Sequence, residues 1–359
     1  MKIHTCFPGG NIVVGEIENN TVHIERDIRD TEGDWFYWAF CAEDTADLAG
    51  QTVTFLFPSK SRVGRFGAAV SHDLENWSWT ESGEGDRFTY TFSPGEDRVY
   101  FAHHMLYDTR RFEALCKRAG MREEVFCSSV KGRPLPAARF GEGDVWILLT
   151  ARHHACESTG SYVLEGAAEA LCRALPEGYS VLAVPFVDYD GVLDGDQGKN
   201  RKPHDHNRDY TDEPIYEVVR KMIAFEKDHD LRYSFDFHSP WHMGEQNDYV
   251  FFSRSTEAME PFTDRFGEFM KRETAGNELK YTGKWDVGPN EMWNDETSPN
   301  SKNYFSKQDS VRLSVTMETP YFGVEDGSGK ISQEAMTELG RAFGRSIAAY
   351  IRETDSAKN

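Results

Sequence analysis

Along the first hundred residues, hydrophobic and polar positions alternate in short runs. The segments Asp34-Trp35-Phe36-Tyr37-Trp38-Ala39-Phe40, Thr52-Val53-Thr54-Phe55-Leu56-Phe57 and Phe88-Thr89-Tyr90-Thr91-Phe92 are aromatic-rich, and turn-forming residues at 81–86 and 93–97 separate them. A two-residue period in evenly spaced runs predicts short strands, and this punctuation predicts an antiparallel β-sandwich-like unit over 1–108. After Tyr107 the period lengthens. Helices are expected over 109–119, 160–175, 214–227, 259–273 and 332–352, alternating with apolar strand runs at 146–150, 180–187, 232–237 and 311–318. This alternation predicts a second unit, 109–359, of α/β class, with a mixed, largely parallel sheet flanked by helices and ligands at the carboxyl ends of its strands. The tail at 353–359 is expected to fray.

Composition narrows the function. At 359 residues, two domains are the natural expectation, and 39% hydrophobic residues with 13% aromatics suffice for packed cores. A net charge of −20 disfavours nucleic acid and anionic membranes as partners. No run approaches the roughly 20 apolar residues needed to span a bilayer. Residues 1–10 do not read as a secretory signal. Cys6, Cys41, Cys116, Cys127, Cys156 and Cys172 show no paired spacing, which suits free thiols. A cytoplasmic protein is therefore expected.

The candidate chemistry lies at strand ends. Arg152-His153-His154-Ala155-Cys156-Glu157 follows the apolar run Val145-Trp146-Ile147-Leu148-Leu149 and sets an imidazole and a carboxylate three residues apart. Catalytic zinc takes three protein ligands of the His/Glu type, and His238, closing Tyr233-Ser234-Phe235-Asp236-Phe237-His238, is the candidate third. His153 is expected to pack or to hydrogen-bond rather than to ligate, and His242 to line the cleft wall. Between the two segments runs a long polar loop carrying Lys199, Arg201, Lys202 and Arg208. Long loops in compact domains are usually functional. An Arg–Asn pair within it, Asn207-Arg208, is suited to holding a carboxylate. Glu318 ends the run Val311-Arg312-Leu313-Ser314-Val315-Thr316-Met317-Glu318, where a carboxylate can act as general base. Strand period places Arg312 on the face of Glu318, either lining a specificity pocket or pairing with an acid.

Together these residues resemble the zinc metallocarboxypeptidase family, in particular its cytosolic carboxypeptidase branch. The resemblance implies one zinc per chain held by His154, Glu157 and His238, with Asp205 orienting the first histidine. It implies a substrate carboxylate held by Asn207 and Arg208, and Glu318 as the base. The oxyanion-stabilising cation falls at Arg201, with Lys199 and Lys202 as alternatives because the stretch from Arg201 to Asn207 is shorter than in the family, and Tyr304 is the counterpart of a tyrosine that closes over substrate. Residues 35–37, 71–77 and 99–104 resemble the β domain that precedes the catalytic domain in this branch. The implied activity is removal of C-terminal amino acids, acidic ones among them, from peptides or proteins. Acidic ends are favoured because Arg312, Lys199 and Lys202 would meet a second carboxylate. Two other readings remain: a zinc amidohydrolase, such as a deacylase or a peptidoglycan stem-peptide amidase, and a non-catalytic binding protein.

Overall fold

The computed structural model describes residues 1–59, 62–242, 248–325, 327 and 329–356. Ten strands come first: β1 (Lys2–His4), β2 (Val13–Glu18), β3 (Thr21–Glu25), β4 (Ala39–Glu43), β5 (Thr52–Leu56), β6 (Ala69–Ser71), β7 (Ser78–Trp79), β8 (Gly83–Glu84), β9 (Arg87–Thr91) and β10 (Arg98–Ala102). They form two five-stranded sheets, β1-β4-β10-β6-β7 and β2-β3-β5-β9-β8. All pairings are antiparallel except β3 with β5. Alternate residues of both sheets, among them Phe40, Phe55, Phe88 and Phe101 with Trp38, fill the space between them. That period-two burial is the physical content of the alternating pattern. The opposite face of the first sheet is also covered: Ala39, Ala69 and Ala102 belong to the core of the second unit.

The second unit contains α1 (Thr109–Ala119), β11 (Arg122–Ser128), β12 (Pro134–Gly141), β13 (Val145–Ala151), α2 (Thr159–Ala174), β14 (Tyr179–Val184), α3 (Tyr189–Asp194), α4 (Glu217–Asp228), β15 (Asp230–His238), β16 (Phe251–Arg254), α5 (Glu260–Thr274), α6 (Ser301–Phe305), β17 (Leu313–Glu318) and α7 (Gln333–Ser356). Its sheet has the order β11-β12-β14-β13-β15-β17-β16. The neighbours β14, β13, β15 and β17 run parallel, and antiparallel strands flank them on both sides. One face packs on α2, α5 and α7 through Ile147, Leu149, Phe235 and Phe237, while Leu148 and Leu182 face α4 and Phe305. The fold class matches the expectation. The β11/β12 hairpin and edge strand β16 were not anticipated, because Pro134, Pro136 and polar residues interrupt their apolar pattern. Of the tail, Glu353 to Ser356 continues α7, and 357–359 lie outside the described residues. We propose the domain boundary at 108/109, between the end of β10 and the start of α1.

Candidate active site

Strand alternation and register assemble the site. In β15, Phe235 and Phe237 face the helical core, so Asp236 and His238 face the other way. Register sets Asp236 beside Thr150 and Thr316, and His238 beside Glu318. Beyond β13 the chain reverses at Arg152, whose φ of 63° is unusual for a non-glycine residue. The buried Arg152 side chain secures this hook by donating from Nε to Ala155 O at 2.7 Å. The hook aims His154 and Glu157 at His238.

Glu157 lies between the imidazoles, with Oε1 2.8 Å from His154 Nδ1 and Oε2 2.7 Å from His238 Nδ1. One donor atom from each residue lies within 4.8 Å of the other two, and all three side chains are buried. The outer ring nitrogens also face carboxylates. His238 Nε2 donates to Asp236 Oδ2 at 2.7 Å, and His154 Nε2 points at Asp205 Oδ1 from 3.8 Å. Those last two atoms are buried without a hydrogen-bond partner among the described residues. With carboxylates at both nitrogens, His238 must carry two protons. Burial lowers its pKa, but Asp236 and Glu157 outweigh this and hold it well above the ordinary range. A divalent cation among the three inner donors would displace only the protons on the inner Nδ1 atoms and leave each outer N–H directed at an acid, as metal-bound imidazoles require. The donor set therefore fits zinc. A second cluster, His153, Asp236 and His238, is already saturated internally: His153 bonds Asp236 Oδ1 at 2.9 Å and Tyr210 OH at 2.7 Å, the hydrogen-bonding role expected of it.

A cavity opens onto His154 and His238, and Lys199, Asn207, Arg208, Ser253, Lys302 and Glu318 also line it. Glu318 is buried, and its Oε2 has no hydrogen-bond partner among the described residues. Burial, reinforced by the Glu157 charge against the nearby cations, pushes its pKa up to about 7. Asn207 Oδ1 accepts from Ser301 N at 3.2 Å. Arg208 is exposed and bonds only the carbonyl of Asn207, at 3.0 Å, so its guanidinium has no carboxylate partner among the described residues.

Arg201, Lys202, Tyr304 and His242 lie away from the places expected of them, and Arg312 takes the second of its two readings, pairing with an acid. Arg201 does not face the cavity: Nε meets Asp30 at 3.0 Å, Nη1 Asp188 at 2.7 Å and Nη2 Asp196 at 2.9 Å, which consumes its planar fork. Lys202 is exposed and pairs with Glu32, so of the three candidate cations Lys199 is the one at the cavity, 3.3 Å from Glu157 Oε1. Tyr304 packs its ring on Tyr210 and Phe305; two residues turn a helix by about 200°, so with Lys302 inward Tyr304 faces away. Arg312 precedes β17 and pairs with Asp355 at 3.2 Å; six residues of strand at ~3.3 Å each place it roughly 20 Å from Glu318. His242 stacks on Phe36 and bonds His103 at 3.0 Å, inside the junction with the sandwich rather than on the cleft wall. Lys302 was missed, since one lysine in a five-residue helix carries no periodic signal.

No protein-family model matches the chain. It is 27% identical to an uncharacterized protein of Zymomonas mobilis over 98% of its own length and 96% of that protein. It is 28% identical to cytosolic carboxypeptidase 1 of Xenopus laevis, over 34% of this chain but only 12% of that protein, so it spans a small part of that relative. Among solved structures, it superposes on a metallo-carboxypeptidase from Burkholderia cenocepacia with TM-score 0.81 and 18% identity, covering 98% of this chain and 99% of that one. It also matches a metallo-carboxypeptidase from Pseudomonas aeruginosa, solved with (2-guanidinoethylmercapto)succinic acid, with TM-score 0.78 and 22% identity over 98% and 100%. The resemblance legible in the sequence thus extends to three dimensions: over nearly its whole length, sandwich included, the chain has the metallo-carboxypeptidase fold.

Proposed function

We propose that this protein is a zinc-dependent carboxypeptidase that removes single residues from the free C-terminus of peptides or proteins, with one zinc held by His154, Glu157 and His238. The observation that supports it most is the meeting at one cavity of the buried His154–Glu157–His238 donor set, whose two histidines line it, the Glu318 carboxylate, whose Oε2 has no hydrogen-bond partner among the described residues, and the Arg208 guanidinium, which has no carboxylate partner among them. When bound, zinc supplies Lewis acidity to the scissile carbonyl and makes water nucleophilic near neutral pH. Glu318 takes the proton of the attacking water at Oε2 and passes it to the leaving amine nitrogen. The Lys199 ammonium faces the charge that grows on the carbonyl oxygen. Asn207 and Arg208 hold the terminal carboxylate, and Asp205 and Asp236 keep the two histidines in register. The free cysteines suit a reducing, cytoplasmic setting, and no helix among the described residues is long and apolar enough to cross a membrane.

The clamp gives the first test. Amidating a substrate's C-terminus removes its charge, so the otherwise exposed Arg208, covered by the bound peptide, lacks its charged partner, at a cost of about 2–4 kcal/mol. Amidated peptides should therefore be cleaved roughly a hundredfold more slowly than free acids, and Arg208→Ala should erase most of that difference in mass-spectrometric assays. Equal turnover of both forms by the wild type would favour the amidohydrolase reading instead.

The side chain preferred at the scissile end is read from Lys302. It is buried, lines the cavity and has no ion-pair partner among the described residues; burial and the Arg208 charge push its pKa down to about 8. A substrate carboxylate would complete the pair, so we propose preference for C-terminal glutamate or aspartate. Lys302→Met should reduce kcat/KM for a glutamate-ended peptide relative to a leucine-ended one by roughly 10- to 100-fold. An unchanged ratio would assign the preference elsewhere.

A further inference from the structure

The cation at the cavity is built into place from the other domain. Residues 30–32, in the long connection between β3 and β4, bind the backbone of each residue from 197 to 200, and Tyr37 in the same connection holds the Gln197 side chain. Asp30 accepts from Gln197 N at 3.0 Å and Gly198 N at 2.9 Å, and also holds Arg201. Thr31 Oγ1 donates to Lys199 O at 2.5 Å, and Glu32 N donates to Asn200 O at 3.3 Å. The Gln197 side chain spans Tyr37, accepting from its N at 2.8 Å and donating to its O at 2.8 Å. On its other side the loop presses against the hook that carries the ligands. Cys156 N donates to Gln197 O at 3.2 Å, and a Cβ on Gly198, whose φ is +73°, would fall 2.1 Å from Ala155 N.

Backbone bonds fix where Lys199 leaves the chain, but not its four-carbon stem. Trp35 does that: Lys199 Nζ lies 5.0 Å from the centre of its ring, and Trp241 packs edge-on against that ring at 4.9 Å. A lysine ammonium over an indole face is held by the ring quadrupole. Without the ring, the flexible stem would leave the ammonium to sample solvent and Glu157 in many geometries. We propose that Trp35 is a positioning residue for Lys199, so that the N-terminal domain is a working part of the active site. This rests on the carboxypeptidase reading, in which Lys199 stabilises charge on the carbonyl oxygen.

The test is a double-mutant cycle on a free-acid peptide with the full-length, zinc-loaded protein. Trp35→Leu should lower kcat roughly 5- to 20-fold with KM within about twofold, and Trp35→Phe, which keeps a ring face, should stay within about threefold of wild type. In a Lys199→Met background, Trp35→Leu should change kcat by less than about twofold, because the interaction it supports is gone. An equal loss in both backgrounds, or a loss confined to KM, would overturn the proposal. A second arm needs no turnover. In metal-free protein under limiting acetic anhydride, Trp35→Leu should raise acetylation of Lys199 relative to the exposed Lys2 at least about threefold, and Trp35→Phe should not. Unchanged Lys199 reactivity would overturn the positioning role, whereas a wild type inactive on every free-acid peptide would refute the carboxypeptidase reading and leave this arm standing.

Discussion

Glu318→Gln is expected to lower kcat by roughly a thousandfold, the order that a positioned general base and its charge contribute, while zinc content and fold stay intact. The substitution is nearly isosteric, and the buried Oε2 it replaces has no hydrogen-bond partner to lose among the described residues. Linkage gives the same variant a second signature. Burial raises the folded pKa of Glu318 to about 7, above its unfolded value, so ionisation of this group destabilises the metal-free fold. That cost begins above the ordinary glutamate range, grows with pH and levels off past about 7. Metal-free Glu318→Gln should thus melt no lower than wild type at pH 8, with any difference upward. Near wild-type kcat in the variant would remove Glu318 as the base; a lowered Tm would mean that it serves the fold.

Loss of a ligand should have the larger effect on metal. His154→Ala and His238→Ala each delete one of three protein donors, and each leaves an outer carboxylate, Asp205 or Asp236, without the imidazole it faces. Elemental analysis after dialysis against a weak chelator should find about one zinc per chain in the wild type and little in either variant, with activity abolished alongside. In contrast, His153→Gln should keep its zinc, because His153 bonds Asp236 and Tyr210 and is not among the three inner donors. Stoichiometric zinc in both ligand variants would contradict the assignment.

Much of this site was legible because strand ends write short, local signals. His154 and Glu157 stand three residues apart after an apolar strand, and His238 and Glu318 each close another. Parallel register then converts those endings into neighbours, His238 beside Glu318. The misplacements share one cause: position along the chain does not tell which way a side chain turns when a tertiary partner competes for it. Arg201 was a cation in the right loop, but three aspartates claim it, one of them Asp30, distant in sequence. Arg312 sits on the expected strand but at its amino end, against Asp355 of the closing helix. Lys302 comes from a helix of five residues, too short for periodicity to reveal which face is buried. The junction of Trp35 with Lys199 depends on how two domains dock, which neither segment encodes alone.

The most direct test of the central claim is mass spectrometry of one peptide ending in a free glutamate, incubated with zinc-loaded and with metal-stripped protein. The account predicts a product shorter by that single residue with the zinc-loaded form, none with the stripped form, and recovery of cleavage when zinc is restored. An intact peptide under all three conditions, or cleavage at an internal bond, would contradict it.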